Sequence, residues 1–86
     1  MTNKLTLIKR TDPICPACIT MANILEGEEI PFDTIDITDA PEAIEEYDLT
    51  GVPVMIIRDN DGEITDRLVG VHPADAVKAK LAEGGR

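Results

Sequence analysis

Cys15-Pro16-Ala17-Cys18 contains the chain's only two cysteines, three residues apart and just after an apolar stretch. Two thiols at this spacing can close a disulfide across the first turn of a helix and open it again. The same pair could supply half of a zinc site or act as a fixed staple. Zinc requires two further ligands, and His72 is the only other soft donor, so a metal site would need a second copy of the chain. A bridge over three residues removes little chain entropy, which leaves a purely structural role little to gain. Reversible redox chemistry is therefore the leading expectation, with no metal. His72, just before Pro73, is expected to start a helix rather than to catalyse.

The elements that must position the pair follow from periodicity and turn chemistry. Residues 4–8 form a first strand, which Asp12-Pro13 breaks. A helix follows over 16–25, with Pro16 at its first position, where a missing N–H costs nothing. Cys18, Ala22 and Leu25 share one stripe with Met21 beside them, and Gly27 is the expected stop. Residues 31–38 alternate as a second strand, with Phe32, Thr34, Asp36 and Thr38 on one side and Ile35 and Ile37 on the other. Asp39 and Glu42 are spaced to start a short helix carrying Ile44 and Tyr47, which Thr50-Gly51 ends. Val54 to Ile57 is a continuous apolar run, expected of a strand buried on both faces. After the Asp59-Asn60-Asp61-Gly62 turn, residues 63–69 pair back as a hairpin, with Ile64 and Leu68 keeping some alternation. A last helix over 73–83 carries Ala74, Val77 and Leu81 on one face, Gly84-Gly85 close it, and Gly84-Gly85-Arg86 form a frayed tail. The order βαβαββα makes a single α/β domain over residues 1–86, a small mixed sheet flanked by helices, with the first two strands parallel.

Composition narrows the function classes. Seventeen acidic against eight basic residues give a net charge of −9. That disfavours nucleic acid and anionic membrane as partners, since both require clustered Lys and Arg. Phe32 and Tyr47 are the only aromatic residues, so the core must be aliphatic. Leu5 to Ile8 is too short for a signal-peptide core or a membrane span, which makes a cytoplasmic location the default. In a reducing compartment a close cysteine pair is expected to be reactive rather than permanent.

With Cys-x-x-Cys after the first strand and Thr50-Gly51-Val52-Pro53 before the third, the chain resembles a minimal thioredoxin-fold glutaredoxin. Within that group it is most similar to the glutaredoxin-like hydrogen donors of ribonucleotide reductase, the NrdH-redoxins. The resemblance implies that Cys15 and Cys18 form the redox-active disulfide of a thiol-disulfide oxidoreductase. It implies support from Pro16, Ala17 and a cis Pro53, and an extended substrate segment pairing beside Gly51, Val52 and Pro53. Several residues depart from the family pattern. Pro-Ala stands between the cysteines, Asp12 lies where a basic residue often precedes them, and Gly70-Val71-His72-Pro73 lacks the Gly-Gly and acidic residues that help hold glutathione. Electrons are accordingly expected from NADPH through a flavoprotein of the thioredoxin-reductase type rather than from glutathione, with no bound cofactor. The expected partners are thioredoxin reductase and a disulfide-containing protein such as ribonucleotide reductase, the chain itself being a monomer. A glutathione-dependent glutaredoxin and a redox-silent binding module on the same fold are the alternatives.

Cys15 at a helix N-terminus has unpaired N–H groups and the helix dipole to favour its thiolate, which lowers such thiols towards about 7. Asp12, if close, opposes that. Cys18, one turn further on, is expected to be more buried. Exchange would begin with attack of the Cys15 thiolate on a substrate disulfide, and Cys18 would then release the reduced product.

Overall fold

The computed structural model describes residues 3–84. Seven elements follow in the expected order: β1 (Lys4–Lys9), α1 (Pro16–Gly27), β2 (Asp33–Asp36), α2 (Ala43–Glu46), β3 (Val54–Arg58), β4 (Ile64–Val69) and α3 (Ala74–Gly84). The strands form one mixed sheet in the order β2-β1-β3-β4. β1 runs parallel to β2 and antiparallel to β3, and β3 and β4 are the antiparallel hairpin.

Alternation in the central strands divides the core into two layers. Leu5, Leu7, Met55, Ile57 and Leu68 face α1 and α3 and pack with Met21, Leu25 and Val77. Ile8, Val54 and Ile56 face the opposite side, where Ile35, Ile37, Tyr47 and Leu49 cover them. The apolar run in β3 is thus buried on both faces, and the two sides expected of residues 31–38 separate, with Phe32 in the first layer and Ile35 and Ile37 in the second. With only two aromatic rings, burial of these aliphatic side chains, each contributing about 1.5–3 kcal/mol, supplies most of the apolar driving force.

Several boundaries differ from the sequence expectation for local physical reasons. α1 runs through Gly27, and Glu29, at φ 55°, is the left-handed residue that ends it. Its N–H donates to the Glu26 carbonyl and that of Ile30 to the Leu25 carbonyl at 2.9 Å, a Schellman closure. Asp48, at φ 52°, closes α2 in the same way, so that helix ends before Thr50-Gly51. β2 starts at Asp33, two residues later than expected, and ends at Asp36 because the Asp36 side chain accepts the Thr38 N–H and its carbonyl accepts from Asp39 and Ala40, turning the chain. That turn also occupies Asp39, so Glu42 rather than Asp39 caps α2, without a side-chain bond. In β4 a register shift beside Ile57 and Arg58 leaves Ile64 exposed while Leu68 is buried, breaking their expected common face. The helix over 74–84 presents Val77 to the core with Ala74 and Leu81 alongside; Gly85 and Arg86, part of the expected stop and tail, lie outside the described residues.

Candidate active site

The dithiol stands where β1 hands the chain to α1. Cys15 is the N-cap of α1, with extended backbone (φ −121°, ψ 96°), and Pro16 follows at the first helical position. The Cys15 carbonyl accepts the N–H groups of Cys18 and Ile19 at 3.1 and 3.2 Å, and its sulfur accepts the Cys18 N–H at 3.2 Å. A donor aimed at the sulfur at a helix N-terminus favours the charged thiolate once the bond is reduced. In the structure the two sulfurs are joined, with Cα atoms 5.2 Å apart. Both residues are buried, Cys15 at 4% and Cys18 at 2% exposure, so the expected contrast in depth is not present in the oxidised pair. Joined to Cys18, the Cys15 sulfur stays on the first turn of α1, where the Cys18 N–H reaches it.

Between β1 and α1 a groove of 320 Å³ opens onto the pair, lined by Lys9, Arg10, Ile14 and Ile19 together with both cysteines. Ile14 and Ile19 are 69% and 50% exposed, so the rim around the sulfurs carries two outward apolar side chains beside the cationic Lys9 and Arg10. A second groove of 220 Å³ is lined by Ile37, Ile44, Thr50, Gly51 and Val52, and Arg10 lines it as well. The dithiol and the loop before β3 therefore meet across one side chain. The Val52–Pro53 bond is cis, as is Asp12–Pro13. Pro53 is fully buried, and its carbonyl accepts the Gly70 N–H at 2.9 Å. Among the described residues the backbone groups of Val52 have no hydrogen-bond partner.

Other candidate residues fall into place around this centre. Pro16 and Ala17 are exposed at the start of α1, and Gly51 is exposed on the second groove. Asp12 is exposed, its main chain held by Thr38. His72, expected to start the last helix, stands two residues before α3 with Pro73 between: its Nε2 lies 2.9 Å from the Val69 carbonyl oxygen, and its N–H donates to Met21 Sδ at 3.4 Å. Tyr47 packs in the second layer and receives Arg58 at its hydroxyl at 2.6 Å. Among the described residues no three His, Cys, Asp or Glu side chains are grouped to hold a metal ion.

Sequence reasoning missed Arg10, Thr38, Ile14 and Ile19. A helical wheel could have found Ile19, which lies about 100° off the buried stripe and must face outward. Ile14, an apolar residue beside the first cysteine and outside any element, carried a weaker signal. Nothing local marks Thr38, whose contacts cross 26 and 27 positions of sequence.

A mixed sheet with a cysteine pair at the N-terminus of its first helix and a cis-proline loop before the third strand defines a thiol–disulfide oxidoreductase on a thioredoxin fold. The model of the glutaredoxin family matches residues 5–61. Over 67 residues the chain is 40% identical to the SPbeta prophage-derived thioredoxin-like protein YosR of Bacillus subtilis (strain 168), covering 78% of this chain and 84% of that one. The chain belongs to the glutaredoxin family. Among solved structures, a mutant thioredoxin from Halobacterium salinarum NRC-1 superposes with a TM-score of 0.82 at 20% identity, over 98% of this chain and 75% of that one. Desulfothioredoxin from Desulfovibrio vulgaris Hildenborough, in its reduced form, gives 0.76 at 18% identity, over 96% and 82%. At such identities the likeness is one of fold.

Proposed function

We propose that this protein is a dithiol electron donor that reduces disulfides presented in extended segments of client proteins. The observation that carries this reading is the Cys15–Cys18 bond at the start of α1, beside a groove rimmed by Ile14 and Ile19 and with the Cys18 amide aimed at the Cys15 sulfur. After reduction, Cys15 attacks one sulfur of the client disulfide as thiolate, forming a mixed disulfide and releasing the client's other thiolate. The Cys18 thiolate then attacks Cys15 Sγ, which restores the internal disulfide and expels the second client thiolate. Two electrons pass to the client and must be returned by a reductase. The unpartnered backbone of Val52 favours an extended client segment lying beside it as an added strand.

Ribonucleotide reductase is the proposed client, and a flavoprotein of the thioredoxin-reductase type, fed by NADPH, the proposed source of electrons. Lys9 and Arg10 in the groove favour a second reading, in which glutathione delivers the electrons with its carboxylates near these cations. NADPH-driven reduction of a protein disulfide, run in parallel with thioredoxin reductase and with glutathione plus glutathione reductase, separates the two. The expected result is turnover in the thioredoxin-reductase arm that falls to background in Cys15→Ser. Turnover in the glutathione arm alone would replace the proposed electron source, and equal rates for wild type and Cys15→Ser would end the proposal.

A further inference from the structure

Five residues, 10–14, connect the end of β1 to Cys15, and each of the last four has a backbone group held by a side chain, either that of Thr38 or that of Arg10, which begins the connection. Thr38, just beyond β2, is one anchor. Its hydroxyl oxygen accepts the N–H groups of Thr11 and Asp12 at 3.1 and 3.0 Å and lies 3.2 Å from the Asp12 carbonyl, to which it donates. One hydroxyl thus uses its single donor and both acceptor positions on this one loop. Asp36 fixes Thr38 in turn by accepting its N–H at 2.9 Å, and it also accepts the Thr11 hydroxyl. Arg10 is the other anchor. Its Nε donates to the Pro13 carbonyl at 2.9 Å and one terminal nitrogen reaches the Ile14 carbonyl at 3.5 Å. Among the described residues its guanidinium has no carboxylate partner, and it lines the groove onto which Cys15 opens.

The geometry points to Thr38 and Arg10 as positioning residues for Cys15, holding the loop at 11–14 so that the sulfur stays on the first turn of α1. This rests on the reading of Cys15 as the attacking thiol. Thr38 is neutral, so its contribution is geometric: with the loop free, Cys15 leaves the N-cap position and its sulfur loses the Cys18 amide for part of the time. Arg10 contributes both its two donors and its charge. The charged groups around the reduced thiol are Lys9 and Arg10 on the groove, Asp12 in the loop and Asp36 at the end of β2, the last already engaged by Thr11 and Thr38.

The test is the pH dependence of iodoacetamide alkylation of the reduced protein, with the modified cysteine located by mass spectrometry, in wild type, Thr38→Val, Thr38→Ser, Arg10→Met and Arg10→Lys. Thr38→Val should move the profile of Cys15 to higher pH and slow alkylation at neutral pH about threefold, while Thr38→Ser, which keeps the hydroxyl, restores it. Arg10→Met should slow it by up to about tenfold, with Arg10→Lys between Met and wild type, because it keeps the charge but not the fork. Thermal unfolding of the same proteins distinguishes positioning from a general loss of structure, since a purely structural change leaves the Cys15 profile unmoved. Wild-type preference for Cys15 with unchanged profiles in Thr38→Val and Arg10→Met would overturn this proposal alone. No preference for Cys15 in wild type would overturn the reading of the attacking thiol and this proposal with it.

Discussion

Cys15 and Cys18 differ in what surrounds them rather than in depth. Cys15 is approached by a loop that Thr38 and Arg10 hold, and its sulfur caps α1, whereas Cys18 already lies on the buried stripe with Met21 and Leu25. The loop has a carboxylate at its base. Hydrogen bonds from the Thr11 hydroxyl and the Thr38 N–H hold Asp36 below the ordinary aspartate range. Because the folded-state value lies below the unfolded one, this group's contribution to stability is present above the unfolded value and is lost as pH falls through the folded one. Asp36 is partly exposed, so water screens the effect and it is small. Thermal melts from about pH 6 down to about pH 3 should therefore show a smaller acid-induced loss in Asp36→Asn than in wild type. Parallel pH dependences in the two proteins would mean that the carboxylate is not engaged as described.

At the scale of the elements, the sheet and its two covering layers were largely legible in the sequence because each depends on local pattern. The four-residue apolar run from Val54 to Ile57 marked a central strand, and the Pro16 helix start and the Asp59 to Gly62 turn stand where expected. Helix ends were less legible. Glycine is the usual left-handed stop, but Glu29 and Asp48 take that conformation, and the bonds that close each helix outweigh the modest steric cost. The carbonyls of Tyr47 and Asp48 also accept from Arg67, a residue about twenty positions away that no local rule connects to α2. α1 is held to the sheet by fully buried Leu25, so Leu25→Ala should lower the unfolding free energy by about 2–5 kcal/mol in denaturant titrations. Ile64→Ala, on the exposed face of β4, should change it by no more than about 0.5 kcal/mol. Similar losses for both would contradict the placement of Leu25 in the core and of Ile64 outside it.

Considered as a whole molecule, the chain is a −9 protein with Lys9 and Arg10 beside its dithiol. Net charge alone conceals that local reversal, because a sum over the sequence says nothing of where the cations stand. The cysteine pair and the proline loop were legible because motif spacing and element order agreed. The rest of the site was not, since Arg10 and Thr38 act through backbone groups of a loop whose path only the folded chain defines. Among the described residues no helix is long and apolar enough to cross a membrane. The central claim is that Cys15 attacks and Cys18 resolves. Mixing reduced Cys18→Ser with a protein disulfide, then mapping the trapped adduct by mass spectrometry without reductant, tests it most directly. The predicted result is a stable mixed disulfide through Cys15. Absence of an adduct, or an equal yield through Cys18 in the Cys15→Ser protein, would contradict it.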